Sequence, residues 1–328
     1  MPAPDVTVVV ITHRGRQLLP GCLDSLAAQT VAHRLLVIDN ASADGSAELL
    51  AGRLAPGQVL RLERNTGFAG GVARALPRVR TRFVALLNDD AVAAPDWLQT
   101  LLSQAHADDR DGKRTAAWTS LMVHADQPLI IQNAGAGLLR SGYGTDLLAD
   151  LPLSEATVDD AAVFGFSGGA ALLRTEAVRA VGGFPAGFFL YYEDLDTSWR
   201  LRGAGWEIRR VSRARVRHAH SATADQHSRM FHRYNERNRL WTLVRNAPAR
   251  TAVGAVVRFL ATTISLHLGR LAGRPIPDAP NFRTTLRLGV LGETARALPG
   301  LLADRRRLGR RSQVRRAAIW RTWAGVDS

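Results

Sequence analysis

The chain of 328 residues contains a single cysteine, Cys22, and this scarcity limits the chemistry available to the protein. One thiol forms no internal disulfide and builds no site of several thiolates, so disulfide-stapled folds and cysteine-based metal folds are excluded. A lone cysteine is most often a small buried hydrophobic residue, and we expect Cys22 to have that role on the first helix. The cysteine content suits a reducing cytoplasm.

Targeting signals and long hydrophobic runs are also scarce. The N-terminal stretch MPAPDV has no basic residue, and the apolar run Val6–Ile11 is too short for the core of a signal peptide. The longest later apolar stretch, Thr251–Leu268, is interrupted by Arg258 and His267, which predicts that it does not span a membrane. We therefore expect a cytoplasmic protein.

Lysine is absent from the C-terminal part of the chain, and acidic residues are rare there. Residues 200–328 contain 27 arginines and seven acidic residues, a net charge of +20. The first 199 residues carry a net charge of −6, and the whole chain carries +14. An acidic first part followed by a basic tail predicts two separate functions. The tail could bind nucleic acid, an anionic membrane surface or an anionic substrate.

Strand-like apolar runs alternate with helical patterns through the first hundred residues. The runs are VTVVVIT from residue 6, RLLVIDN from residue 34, QVLRLER from residue 58 and RFVALLN from residue 82. Strands alternating with helices at this spacing predict an α/β fold with a mostly parallel central sheet flanked by helices. In such sheets, ligands bind beyond the carboxyl ends of the strands.

Polar residues cluster at those predicted strand ends. They are Asp39, Asn65, Asn88, Asp89 and Asp90. The adjacent carboxylates of Asp89 and Asp90 repel each other unless both are solvated or a cation lies between them. A divalent cation held by carboxylates and substrate phosphate oxygens would remove that repulsion. The alternatives are a solvated turn for Asp89 and Asp90, and a helix cap for Asp39.

A glycine-rich turn precedes the third predicted helix. The stretch NTGFAGGVARA, which begins at Asn65, places Gly67, Gly70 and Gly71 where backbone N–H groups can approach a diphosphate. The chain contains neither the G-x-G-x-x-G pattern of dinucleotide folds nor the G-x-x-x-x-G-K-S/T pattern of phosphate-binding loops. A plain turn is the alternative.

The rest of the chain is less regular at first and then helical. We predict strands near Ala116–Val123 and Leu129–Ile131, and a strand, a glycine turn and a helix within Val163–Phe184. The stretch YYEDLDTSWRLRGAGW predicts a helix, and EIRRVSRARVRH predicts a basic strand that ends at His218. From about Arg229 the pattern is helical and rich in arginine.

Two further groups are chemical candidates. Asp194 follows Glu193 behind several aromatic residues, and a partly apolar wall would raise the pKa of Asp194 and suit a general base. The alternative is that both acids only compensate the helix dipole. His218 could bind a metal beside carboxylates, although a structural role is the alternative and His220 is a competitor.

The ordered set VVVIT, VIDNASADGS, NTGFAGG, LLNDDA, FSGGAALLRTEAV, FFLYYEDLDTSWRLRGAGW, VRHAHS and RYNERNRLW resembles the family 2 glycosyltransferases of the GT-A fold. The bacterial rhamnosyltransferase-like branch is the most similar. The resemblance covers roughly residues 5–245. It implies a GT-A catalytic domain over residues 1–245, followed by a basic, largely helical region over residues 246–328.

The resemblance also implies an activity, which is the inverting transfer of a sugar from a nucleotide-diphosphate sugar to a hydroxyl acceptor. The donor could be deoxythymidine-diphosphate-rhamnose, and the acceptor a lipid-linked glycan or a precursor of a cell-surface polysaccharide in cell wall biogenesis. Mg²⁺ or Mn²⁺ is the implied cofactor.

By the same resemblance, each candidate residue has an expected role. The donor would contact Asp39, Asn65, Gly67, Gly70, Gly71, Asn88 and Asp89, together with Thr12 and Arg14 of THRGR after the first strand. Asp90 would bind the metal with His218, Asp194 would be the catalytic base, and Glu193 and Trp199 are acceptor-side candidates. Arg237 and Asn238 match a family segment without an assigned role.

This chain departs from the family pattern in three places. Asn88 stands where the first acid of the D-x-D metal motif is expected, and THRGR replaces an aromatic–Asn–Arg pattern. No Q-x-x-R-W occurs, which argues against a processive polysaccharide synthase.

Other classes and other roles for the tail remain open from the sequence. A sugar-1-phosphate nucleotidyltransferase would require a basic glycine loop after the first strand, which ITHRGRQ matches poorly. No nucleic-acid-binding motif is present, and we expect no nucleic-acid partner. The arginine-rich helices could lie peripherally on the inner face of an anionic membrane, or pack on the catalytic part with a solvated basic face.

Overall fold

A mixed β-sheet forms the centre of the computed structural model, which describes residues 3–156, 161–219 and 228–325. The strands are β1 (Val6–Thr12), β2 (Arg34–Asp39), β3 (Val59–Arg61), β4 (Phe83–Asn88), β5 (Ala91–Ala93), β6 (Thr115–His124), β7 (Ile131–Asn133), β8 (Ala136–Leu138), β9 (Gly144–Asp146), β10 (Ala170–Arg174) and β11 (Glu207–His218). Their order in the sheet is β3-β2-β1-β4-β10-β6-β11-β5, with β7 beside β6. Strands β8 and β9 form a separate ribbon.

Helices cover both faces of this sheet, which explains why its strands are continuous apolar runs. The helices are α1 (Leu19–Ala27), α2 (Ser46–Arg53), α3 (Gly67–Ala75), α4 (Trp97–Arg110), α5 (Thr175–Ala180), α6 (Glu193–Gly203), α7 (Arg229–Asn246), α8 (Ala249–Leu271), α9 (Thr284–Arg311) and α10 (Arg316–Trp323). All seven residues of β1 are buried, as expected for a strand covered on both sides.

The predicted α/β architecture is confirmed, with one strand placed differently. Strands β1, β2, β3 and β4 are parallel neighbours, and β6 is parallel to β11. Strand β10 is antiparallel to both β4 and β6. It follows the glycine turn at Gly168 and Gly169, whereas the sequence reading placed a strand before that turn. The run AALL at 170–173 is fully buried, and this burial favours the strand there.

The C-terminal helices share a hydrophobic core with the first part of the chain. Phe164 and Trp199 belong to the same buried cluster as Phe259 of α8, Leu286 of α9 and Ile319 of α10. These helices therefore pack on the predicted catalytic part.

Helix α8 extends beyond the apolar run Thr251–Leu268 at both ends, and the expectation that this run does not span a membrane stays a prediction. Over the described residues it is the one helix long and apolar enough to cross a membrane by length and composition, with a mean hydropathy of 1.4 over its best window. Although Arg258 and His267 lie in this helix, its mean hydropathy is still that of a candidate membrane-spanning helix. Only 28% of that window is buried within the protein.

Candidate active site

Two adjoining cavities open at the carboxyl ends of the parallel strands. The β1 cavity, of about 280 Å³, is lined by Arg14, Asn65, Gly67, Asp89 and Asp90, among others. The β9 cavity, of about 370 Å³, is lined by Gln132, Asn133, Asp146, Glu193 and Asp194, among others. Asn88, Tyr191 and His218 line both cavities. The two cavities therefore form one cleft.

A histidine at the end of β11 connects the two cavities. Nε2 of His218 lies 2.9 Å from Oδ1 of Asp90 and 3.1 Å from Nδ2 of Asn88, and Nδ1 lies 2.6 Å from Oε1 of Gln132. Because an amide oxygen only accepts, this network assigns a proton to Nδ1. Nε2 of His218 and the carboxylate oxygen of Asp90 therefore lie side by side, and both are atoms that can bind a divalent cation.

The residues around His218 fit a divalent cation that takes its other ligands from a substrate. Over the described parts of the chain, no group of three or more His, Cys, Asp or Glu side chains could hold a metal by itself. Asp90 and His218 supply an oxygen and a nitrogen side by side. Mg²⁺ and similar ions commonly use one or two protein ligands together with substrate phosphate oxygens and water.

The adjacent acid Asp89 points toward the loop after β1. A Cβ atom added at Gly15 would lie 2.4 Å from Oδ2 of Asp89 and 2.4 Å from Oγ1 of Thr12, so this carboxylate fills the space that glycine leaves. Burial raises the pKa of Asp89 to about 6, a hydrogen bond from Thr12 opposes this rise, and the charge of Asp90 adds to it. The two carboxylates thus have different surroundings. Thr12 is buried beneath the cleft and does not line it.

Asp39 lies beneath the cleft surface in this structure. It is fully buried, Oδ1 accepts a hydrogen bond from the Ser42 N–H at 2.9 Å, and Oδ2 lies 3.4 Å from Nε of Arg61. The contact with the Ser42 N–H closes a turn after β2 and does not cap a helix, because α2 begins at Ser46 with Gly45 before it. The structure therefore does not show the helix cap that the sequence left open as an alternative for Asp39.

The glycine turn before α3 is held by Asn40, which sequence reasoning missed. Its amide donates to the carbonyl of Gly67 at 3.0 Å, and its oxygen accepts from the Thr66 N–H at 2.8 Å. Gly67 has φ +69°, and a Cβ there would lie 2.0 Å from the carbonyl oxygen of Phe189. The turn therefore requires glycine at this position.

The other two glycines of the turn serve packing. A Cβ at Gly70 would lie 2.5 Å from Cβ of Thr66, and one at Gly71 would lie 2.7 Å from Cγ2 of Ile11 on β1. Neither glycine lines the cleft. The absent side chain of Gly71 allows α3 to lie close against β1, and that of Gly70 leaves room for Thr66 at the start of the helix.

The two acids at the start of α6 face the β9 cavity in different states. Asp194 accepts hydrogen bonds from the N–H groups of Gly168 at 3.0 Å and Leu195 at 2.7 Å. Burial raises its pKa, and these N–H groups oppose the rise. Burial, followed by the charge of Asp194, raises the pKa of Glu193 well above its ordinary range. The two adjacent acids therefore differ: the N–H groups of Gly168 and Leu195 stabilise the carboxylate of Asp194, whereas burial and the charge of Asp194 favour the protonated form of Glu193.

The loop before these acids has a strained backbone. Phe189, Tyr191 and Tyr192 have φ of 68°, 69° and 68°, a region that costs a non-glycine residue about 1–3 kcal/mol. The side-chain amide of Asn238 donates to the carbonyls of Phe188, Leu190 and Tyr191 at 2.8–2.9 Å.

Arg237 supports the same loop. Its Nη2 donates to the carbonyl of Phe188 at 2.7 Å and to that of Gly187 at 3.2 Å. Arg237 and Asn238, which the sequence marked without a role, therefore hold the loop that positions Asp194.

Trp199 does not line either cavity. Its ring is 2% exposed, stacks on Trp320 at a centroid distance of 6.0 Å and meets Phe164 edge-on at 5.4 Å. Trp199 was expected on the acceptor side, but in this structure it packs between α6 and α10 and does not contact the cleft. His220, the competitor of His218, lies outside the described residues.

The irregular segment before residue 160 contributes cavity residues that the sequence did not reveal. Gln132 orients His218, and Asp146 ends β9 in the β9 cavity. Burial raises the pKa of Asp146 to about 6, with the charge of Asp194 adding to the rise. These residues lie on strands of only three residues, which carry no clear apolar pattern.

The fold is shared with known glycosyltransferase structures. The mannosyltransferase PcManGT of Pyrobaculum calidifontis, in complex with GDP-Man and Mn²⁺, matches with a TM-score of 0.55 and 16% identity over 98% of this chain and 88% of its own. GalNAc-T7 with UDP, GalNAc and Mn²⁺ matches with a TM-score of 0.60 and 16% identity over 90% of this chain and 57% of its own. At this identity the likeness shows the fold alone, which is GT-A.

Relatives by sequence include several bacterial transferases. The galactofuranosyltransferase GlfT1 of Mycolicibacterium smegmatis is 29% identical over 61% of this chain and 66% of its own length. The pre-mycofactocin glycosyltransferase of Mycobacterium tuberculosis is 29% identical over 90% of this chain and 62% of its own length. The N-acetylglucosaminyl-diphospho-decaprenol L-rhamnosyltransferase of M. tuberculosis is 27% identical over 68% of this chain and 79% of its own length. The chain thus spans just under two thirds of the length of the galactofuranosyltransferase and of the pre-mycofactocin glycosyltransferase.

Two family models match the chain directly. One, described as Glycosyl transferase family 2, matches residues 7–116, and the other, described as Glycosyl transferase family group 2, matches residues 83–277. The second covers more than half of the chain, and it includes both Asp90 and Asp194. The resemblance drawn from the sequence is confirmed, and the chain belongs to the family 2 glycosyltransferases.

Proposed function

We propose that this protein transfers a sugar from a nucleotide-diphosphate sugar to a hydroxyl acceptor, with inversion at the anomeric carbon. The observation that carries the proposal is the shared cleft, in which Asp90 and His218 lie on one side and Asp194 on the other. The β1 cavity would take the nucleotide and diphosphate, and the β9 cavity would take the acceptor.

The proposed reaction uses Asp194 as the base. The acceptor oxygen attacks the anomeric carbon, the bond from that carbon to the diphosphate oxygen breaks, and the acceptor proton passes to the Asp194 carboxylate. Its raised pKa makes Asp194 a better proton acceptor than an exposed aspartate. Mg²⁺ or Mn²⁺ bound by Asp90 and His218 would offset the negative charge that grows on the leaving diphosphate.

The identity of the donor is testable by a screen. Nucleotide sugars, including deoxythymidine-diphosphate-rhamnose, are added with Mn²⁺ or Mg²⁺, the thermal shift is recorded, and release of nucleoside diphosphate is then measured. We expect at least one donor to raise Tm and to release nucleoside diphosphate. Pyrophosphate formed from a nucleoside triphosphate and a sugar-1-phosphate would instead indicate a nucleotidyltransferase. No shift and no turnover with any donor would contradict the proposed transfer.

A lipid-linked acceptor is supported by an exposed apolar stripe on α8. Val253, Val257, Leu260, Ile264 and Leu268 are 44–62% exposed, and their spacing places them on one side of the helix. The flanking positions include Arg250, Arg258 and Arg270, all exposed. An apolar stripe bordered by arginines fits the interface of an anionic bilayer.

The other side of α8 packs against protein, which favours a helix lying on a membrane over one that spans it. Ala252, Phe259 and Thr263 are buried there. Arg287 of α9 donates to the carbonyl of Phe259 at 3.1 Å and to the hydroxyl of Thr263 at 2.9 Å. We infer that the protein binds peripherally to an anionic membrane through α8, where it would meet its acceptor.

Removing the stripe is expected to release the protein from vesicles. In the full chain, Leu260→Gln combined with Ile264→Gln should lower sedimentation with vesicles that contain anionic phosphatidylglycerol, because two apolar side chains no longer enter the interface. Leu129→Gln is the matched control, since Leu129 is 71% exposed far from α8 in sequence. Equal sedimentation of the double variant and wild type would refute the membrane role.

A further inference from the structure

We propose that Asp146 is an acceptor-binding residue and that the β9 cavity takes a carbohydrate through two neighbouring hydroxyl groups. This inference rests on the transfer proposed above and adds the chemical class of the acceptor. One hydroxyl would meet Asp194 and attack the donor. Asp146 would accept a hydrogen bond from the hydroxyl beside it and so set which hydroxyl attacks.

The position of Asp146 supports this role. It is the last residue of β9, pairs with Ala136 of β8, and lines the β9 cavity. Its Oδ1 accepts a hydrogen bond from Nδ2 of Asn133 at 2.5 Å, which fixes the direction of the carboxylate. Asp146 and Asp194 both line this cavity, so both carboxylates face the same ligand. A ligand between them must be rich in donors.

Two buried polar groups of the same cavity lack partners. Nε2 of Gln132 and Oε2 of Glu193 form no hydrogen bond, and each residue is less than a tenth exposed. Buried polar groups are almost always hydrogen-bonded in proteins, so this pair suggests a ligand that completes them. The Gln132 amide donates, the carboxylate of Asp146 accepts, and the carboxyl group of Glu193 accepts and, when protonated, also donates. Hydroxyl groups, which also donate and accept, match all three.

The rest of the lining favours a neutral sugar ring. Tyr191, Tyr192 and Phe231 supply aromatic surface for the C–H face of a ring. Within the described residues, no arginine or lysine lines this cavity. An acceptor that presented a phosphate or carboxylate here would meet the carboxylates of Asp146 and Asp194 with no arginine or lysine to compensate its charge. A polyhydroxyl acceptor avoids that repulsion.

The test compares Asp146→Ala with wild type on defined acceptors. The acceptors are a panel of octyl glycosides and, as a single-hydroxyl probe, 1-octanol, each with the donor that wild type turns over. Hydrolysis of that donor by water is measured without acceptor. We expect wild type to use an octyl glycoside in preference to 1-octanol. Asp146→Ala should lower kcat/KM for the glycoside about 10- to 100-fold, the effect of one lost charge-assisted hydrogen bond, with donor KM and hydrolysis unchanged.

Asp150→Ala is the matched control, because Asp150 is an 88% exposed carboxylate four residues later whose side chain lies 3.6 Å from His124. It should behave as wild type. Three outcomes would each overturn the inference and leave the proposed function standing. They are transfer to 1-octanol as good as transfer to the glycosides, no transfer to any glycoside despite donor hydrolysis, and an unchanged kcat/KM in Asp146→Ala. A wild-type protein that neither hydrolyses nor transfers from any donor would overturn both.

Discussion

Asp194→Asn is expected to lower kcat about 10²- to 10⁴-fold, the usual contribution of a general base, while the donor binds as in wild type. Asparagine keeps the shape of the side chain but accepts no proton from the acceptor. Its oxygen can still accept the Gly168 N–H bond, so the start of α6 should persist. Initial rates at saturating acceptor and calorimetric titration with nucleoside diphosphate measure the two quantities.

Glu193→Gln is the matched comparison for this variant. Because burial raises the pKa of Glu193 and so favours its protonated form, the neutral amide of Gln is close to it in charge and shape, and we expect a much smaller loss than in Asp194→Asn. A base must be ionised to act, so the raised pKa of Asp194 should place the acidic limb of the kcat profile above the ordinary range of an aspartate. Retention of most turnover by Asp194→Asn would remove it from the reaction.

Asp90→Ala should lower kcat/KM about 10²- to 10³-fold and weaken the gain in donor affinity that Mn²⁺ provides. The substitution removes the one carboxylate that lies beside His218 at 2.9 Å, whereas Asp89 points toward Gly15 and Thr12. Titration of nucleoside diphosphate with and without Mn²⁺ gives the metal-dependent part of binding directly.

A neighbouring surface acid controls for the change in charge. Asp96 precedes α4, its side chain forms no capping hydrogen bond, and it is exposed, so Asp96→Ala should bind donor and Mn²⁺ as wild type does. If Asp90→Ala keeps the same response to Mn²⁺, the metal does not depend on Asp90.

The sequence predicted the sheet well because its physical signals are strong. Continuous apolar runs mark β1, β2 and β4, and the polar residues after them lie at one edge of the sheet by geometry. The direction of β10 was not predictable, because its apolar run AALL has the same appearance in parallel and antiparallel pairing.

The site was predicted in part, for reasons that differ between residues. Asp90, His218 and Asp194 line the cleft as expected, since each follows a strand end or starts a helix there. Asp39 and Trp199 are residue types that suit a sugar-nucleotide site, but in the folded protein Asp39 contacts Arg61 and Trp199 stacks on Trp320. Asp146 and Gln132 were missed because residue pattern alone does not place a three-residue strand.

Asn238 holds the backbone of residues 189–192 but is synthesised after it, so the loop and its support appear in a fixed order as the chain is made. The carboxylate of Asp194, the proposed base, leaves the ribosome before the amide that keeps its preceding loop in place. Arg237, the second support, lies beside Asn238 on α7 and is paired with Glu293 of α9 at 3.1 Å. A nascent chain that has reached the end of α7 therefore carries the proposed reacting groups and both side chains that hold the loop, and the later arrival of α9 adds the ion pair that fixes Arg237.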